Sequence, residues 1–191
     1  MAAGKQQIGP HDDLRSHLRA ATMAAHDLLD HAMQAASGWQ QLGDYARFLE
    51  LQHAARAPLE QWLDDHAPSD LRPPAQTPLI ARDLAAMGRA VPPPAAAFAP
   101  MESEPGDMLG AAWVLAGSAL GNRSIAKQVR RIGGGEWPLA FLGDDAMLGF
   151  WQDLRGRIEQ HAEPAEAEGA TRAATAVFAH FLAVAEGARV S

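Results

Sequence analysis

Leu14, Leu18, Ala21, Ala25, Leu29 and Met33 recur at spacings of three and four, which lays one apolar stripe along a helix from about Asp12 to Ala36. Asp12 and Asp13 are its candidate caps. A second helix starts near Gly43 and Asp44, with Tyr45, Phe48, Leu51, Leu59, Trp62 and Leu63 on its apolar side, and Pro58 is expected to kink it. The proline-rich stretch from Ala67 to Pro78 ends this hairpin. Pro78 to Met87 then reads as a short helix stopped by Gly88. After Pro92 to Pro94, a long helix runs from about Pro105 to Arg131 and is broken by Gly133, Gly134 and Gly135. Segments at about Asp144 to His161 and Ala167 to Gly187 complete the set. No strand-like alternation competes with these patterns and no repeat of solenoid length is present, so the expected fold is all-α. The expected organisation is one helical domain over 12–189 behind a flexible N-terminus, 1–11.

Composition narrows the function classes. The 191 residues are 48% hydrophobic and 20% charged, which suits a single domain with its own core. Cysteine is absent, so any metal is left to histidine, carboxylate or a cofactor. A net charge of −7 argues against nucleic acid as a partner. The most apolar stretch, Met108 to Leu120, is too short to span a bilayer, and no signal-peptide pattern follows Lys5. A cytoplasmic location without membrane attachment is therefore expected.

The helix from Pro105 carries the strongest candidate chemistry. Glycine recurs within Gly110-Ala-Ala-Trp-Val-Leu-Ala-Gly117-Ser-Ala-Leu-Gly121-Asn122-Arg123, although each glycine costs about 1 kcal/mol relative to alanine in a helix. Gly117 and Gly121 share a face and bare the backbone there. Close packing against another helix is the ordinary explanation for such spacing; a wall for a flat ligand is the sharper one. On the first helix His26 is placed so that its imidazole can point toward the core, where a hydrogen-bonded core histidine is the common case. Asp30, one turn on, can engage one ring nitrogen and leave the other for a metal. Glu50-Leu-Gln-His53 has the spacing of a di-iron ligand pair, but no second copy exists, and solvated side chains are expected at both positions. Lys127, Arg130 and Arg131 form a basic helical face, either merely solvated or facing ligand carboxylates. The absence of a nucleophile elbow, a P-loop and a dinucleotide fingerprint removes support for those chemistries.

Taken together, Leu18-Arg-Ala-Ala-Thr-Met-Ala-Ala-His26-Asp-Leu-Leu-Asp30, Tyr45-Ala-Arg-Phe-Leu, Pro58-Leu-Glu60, Arg82-Asp-Leu-Ala-Ala-Met-Gly88 and Trp113-Val-Leu-Ala-Gly-Ser-Ala-Leu-Gly121 resemble the bacterial heme oxygenases, in the same order from about Leu14 to Leu182. The resemblance implies a helical bundle with a heme slot between the first helix and the glycine-bearing distal helix. It implies His26 as axial ligand of the heme iron, supported by Asp30, with Gly117, Ser118, Gly121 and Asn122 on the distal side. Members of the family open heme to biliverdin, carbon monoxide and iron with O2 and electrons from an external reductant.

Some positions depart from the animal-type pattern. Ser118 stands where a distal aspartate organises water there, Asn122 where a second glycine is frequent, and Met23 where a basic residue precedes the histidine. Arg19 is then the nearest matching cation for a heme propionate, with Arg123, Lys127 and Arg130 as further candidates. The partners the resemblance implies are a reductase or ferredoxin, or ascorbate, as electron donor, and a biliverdin-accepting protein such as a bacteriophytochrome. A non-catalytic heme carrier or sensor on the same fold is the alternative that the Ser118 and Asn122 departures leave open.

Overall fold

The computed structural model describes residues 13–99, 104–160 and 162–188. These form six α-helices, α1 (Leu14–Ala36), α2 (Leu42–His66), α3 (Thr77–Ala86), α4 (Pro105–Ile132), α5 (Ala146–Ile158) and α6 (Pro164–Gly187), with a 3-10 turn at Ser69–Leu71 and no strand among the described residues. The all-α expectation holds. The segment 1–11, expected to be flexible, and His161, the expected end of α5, lie outside the described residues.

Side chains set most of the helix starts. Asp13, one of the two expected caps, accepts a bond from the Ser16 N–H at 2.6 Å, and this bond holds its carboxyl below the usual aspartate range. At the start of α2 the Gln41 N–H donates to Asp44 at 3.1 Å, which moves the start slightly ahead of Gly43. The carboxylate of Glu60 on α2 accepts bonds from the Gln76 N–H (2.9 Å), the Thr77 N–H (3.2 Å) and the Thr77 hydroxyl (2.7 Å), so one side chain fixes where α3 begins.

Pro58 sits inside an α2 that continues on both sides of it. Having no N–H, it leaves the Ala54 carbonyl free, and the Ala95 N–H takes that acceptor at 2.9 Å. The next carbonyl, of Ala55, is 3.0 Å from the His180 ring nitrogen. The proline thus ties α2 to the chain after α3 and stands beside its contact with α6.

The C-terminal helix is the spine. Both α1 and α4 pack against α6, while α1 and α4 hardly touch each other. The α4–α6 crossing is close because Gly106 and Gly110 face Glu166 and Ala170, with Gly169 packed back against Gly106. One core gathers Leu18, Leu59, Leu63, Leu115, Trp151 and Val177; a second gathers Tyr45, Phe48, Leu84, Val129 and Phe141. Asp83 anchors the turn before α5 by accepting the Ala140 and Phe141 N–H groups, both at 2.9 Å. Burial pushes the Asp83 carboxyl up, against the lowering effect of those two bonds.

Candidate functional site

The apolar stripe of α1 is interrupted in its middle. Leu14, Leu18 and Thr22 are buried at one end and Ala32 and Met33 at the other, but no residue from 23 to 31 is buried. His26 lies within that uncovered stretch with 58% of its side chain exposed. The expectation of an imidazole pointing into the core is therefore corrected: stripe spacing puts the ring on the α6 side, yet no described side chain closes over it. One edge of the ring meets Phe178 of α6, with centroids 6.0 Å apart and planes at 68°. The Asp30 carboxylate is 3.4 Å from Nδ1 and that of Asp27 is 3.7 Å away.

The α4 helix also has an open stretch. Close helix packing accounts for Gly106 and Gly110 but not for Gly117 or Gly121. A Cβ at Gly117 would meet only the edge of the Trp151 indole, at 3.6 Å, and one at Gly121 would meet nothing within 4 Å. Leu120 beside it is 52% exposed, and Met23, on the uncovered stretch of α1, is 51% exposed. Large apolar side chains standing out beside a bare helix backbone suit an apolar ligand better than water.

Ser118 is hydrogen-bonded on two sides. Its hydroxyl donates to the Leu115 carbonyl at 2.6 Å and accepts from Nη2 of Arg56 at 2.8 Å. Asn122 is buried. Of the four cations expected near propionates, Arg19, Arg123, Lys127 and Arg130 are all exposed; Arg123 pairs with Asp145 just before α5, and Arg130 lies in the last turn of α4, where a cation suits the negative end of the helix.

Arg56 is the residue that sequence reasoning missed. It is only 2% exposed. Its Nε donates to Gln52 at 3.1 Å, its guanidinium lies 5.1 Å from the Phe141 ring centroid and 5.9 Å from that of Phe181, and its Nη1 has no hydrogen-bond partner among the described residues. Burial pulls its pKa down to about 10 against the opposing charge of Glu60, which leaves it cationic at neutral pH. Tyr45, Leu49, Gln52, Arg56, Leu59 and Leu63 alternate at spacings of four and three, so two polar residues stand in an otherwise apolar stripe, and that was the available signal.

His53 also departs from expectation. It is half-buried rather than solvated, its Nδ1 is buried without a partner among the described residues, and burial lowers its pKa against Glu60. Glu50 is bound to Arg89 at 2.6 Å, and no group of three or more histidine and carboxylate side chains able to hold a bare metal ion occurs among the described residues. A cleft of about 680 Å³ beside Trp62, His66 and Phe98 is lined by none of the expected site residues.

No family model matches the sequence, and no curated protein does. The structure, however, is similar to that of the NO- and CO-bound heme oxygenase from Neisseria meningitidis, with a TM-score of 0.72 over 92% of each chain at 20% identity. The fold is that of a bacterial heme oxygenase. In this heme oxygenase fold, α1 carries the uncovered His26, and α4 carries Gly117 at the edge of Trp151 and Gly121 with its outer side open. The residues present fit a heme: an imidazole with a carboxylate beside Nδ1, a glycine whose outer side is open, and exposed apolar side chains on both helices. Among the described residues no helix is long and apolar enough to cross a membrane.

Proposed function

We propose that this protein is a heme oxygenase, opening heme to biliverdin, carbon monoxide and iron with O2 and electrons from an external reductant. The observation that carries the proposal is the coincidence, on this fold, of an uncovered His26 on α1 with a glycine at 121 on α4 that no neighbour packs against. A glycine inside a helix is a stability cost that needs compensation. Gly121 receives none from packing, and a flat ligand lying against the bare backbone supplies it.

His26 would hold the iron through Nε2, with Asp30 beside Nδ1 to fix the tautomer and the ring direction. Gly117 and Gly121 would give the group a helix backbone bare of side chains, and the exposed Leu120 and Met23 would cover it with apolar contact and exclude water. Arg19, Lys127 and Arg130 would meet the propionates, joined by Arg123 on leaving its exposed pair with Asp145, an interaction weak enough to exchange. Bound heme supplies the iron redox chemistry that activates oxygen, and the protein supplies binding, orientation and hydrogen bonds. The electron donor is a reductase or ferredoxin, or ascorbate, and a bacteriophytochrome is a fitting acceptor for the biliverdin.

Titration of the protein with hemin, followed by ascorbate in air, tests the proposal. The expected result is a saturable Soret band that decays as a biliverdin absorption rises. Hemin binding with a Soret band that survives ascorbate, and also survives a ferredoxin and its reductase, would instead make the protein a heme carrier or sensor.

A further inference from the structure

Two bonds at the Ser118 hydroxyl decide which group can donate on the α4 side of the site. The Leu115 carbonyl only accepts, so the Ser118 proton is directed to it. The Arg56 guanidinium only donates, so it fills one lone pair of the Ser118 oxygen. Ser118 can therefore accept one more bond but has no proton left to give. The guanidinium beside it does. Nη1 belongs to the same planar group as the Nη2 that holds Ser118, it is buried, and it has no partner among the described residues.

The position of this cation relates it to both helices of the proposed site. Phe181, 5.9 Å from the guanidinium carbon, is one helical turn from Phe178, the residue that meets the His26 ring. Gln52 fixes Nε and Ser118 fixes Nη2, so the fork is held at two of its three nitrogens. A buried donor left without a partner costs stability unless a water or ligand completes it.

Resting on the heme reading above, we propose that Arg56 of α2 is the cationic hydrogen-bond donor of the Ser118 side of the site, and that Nη1 makes this side select anionic or strongly polarised ligands of the iron. Where an aspartate would accept and relay through water, this chain sets a donor that carries positive charge. Ser118 is the positioning residue that orients the fork.

The test compares azide, an anion, with carbon monoxide, a neutral ligand, on the hemin-loaded protein. Arg56→Met should weaken azide binding to the ferric complex by about tenfold to a hundredfold, the effect of losing one charge-assisted bond, and should change carbon monoxide affinity of the ferrous complex by less than about threefold. Arg56→Lys should retain most of the azide affinity, because the charge stays. Unchanged azide affinity in Arg56→Met, with an intact Soret band, would overturn the assignment of Arg56 alone. Failure of the wild-type protein to bind hemin would overturn the heme reading and this inference with it. If Arg56→Met does not fold, Arg56→Gln gives a second uncharged variant with the same expectation. The carbon monoxide stretching frequency of the wild-type ferrous complex serves independently: a value lowered by a positive donor is expected, and one typical of an apolar pocket would contradict the inference.

Discussion

Gly110 of α4 faces the backbone of Ala170 on α6 so closely that a Cβ at this position would sit 2.7 Å from the Ala170 carbonyl carbon. Gly121, three turns along the same helix, faces open space. The two glycines serve different ends, and one pair of variants separates them. Gly110→Ala should lower stability by about 2 kcal/mol or more, since the backbones must part to admit a methyl group. Gly121→Ala should raise apo-protein stability by about 0.5–1 kcal/mol through helix propensity, and should weaken hemin binding. Thermal unfolding and hemin titration of both variants check this.

Asp30 should matter to the ligand and little to the fold. Its carboxylate is exposed and lies 3.4 Å from Nδ1 of His26, so Asp30→Asn is expected to leave apo-protein stability within about 0.5 kcal/mol. Loss of a carboxylate behind a ligating histidine typically costs about tenfold to a hundredfold in metal affinity or activity. The rate of biliverdin formation and the hemin dissociation rate are the measurements that check it.

His53 gives the stability a pH dependence of known sign. Burial lowers its folded pKa below the ordinary 6.5, with Glu60 opposing. The unfolded chain therefore binds the proton more readily, and the His53 contribution is present above the unfolded pKa and lost as pH falls from about 6.5 toward the folded value. Between pH 7 and pH 5 the wild-type melting temperature should fall more steeply than that of His53→Gln. Parallel slopes would show that the ring is freely solvated.

Much of the fold was legible because each helix carries its own period and punctuation. Asp13, Gly88 and Gly133 stand at helix ends. What the stripes did not show was which parts of them would be covered. Ala25, Leu29 and the neighbouring His26 satisfy the α1 spacing as well as Leu18 does, yet only Leu18 is buried, because burial depends on a neighbouring helix and α4 does not close over the middle of α1. Similarly, Gly110 and Gly121 look alike in sequence; the approach of Ala170 at one and of nothing at the other is a tertiary fact. Arg56 was hidden for the opposite reason. A polar residue in an apolar stripe reads as a flaw in the pattern until Ser118, Phe141 and Phe181 are placed around it. Lys127 and Arg130 remain what their spacing suggested, an exposed basic face.

The most direct measurement is the ligation state of ferric heme in the wild-type protein and in His26→Ala, read by absorbance and electron paramagnetic resonance. His26 is exposed and its removal should leave the helices unchanged by circular dichroism. With His26 as axial ligand, the wild-type complex should carry the signature of nitrogen ligation, and His26→Ala should lose it and regain it on addition of imidazole. Identical spectra from the two proteins would contradict the assignment of His26, and with it the placement of heme between α1 and the glycines of α4.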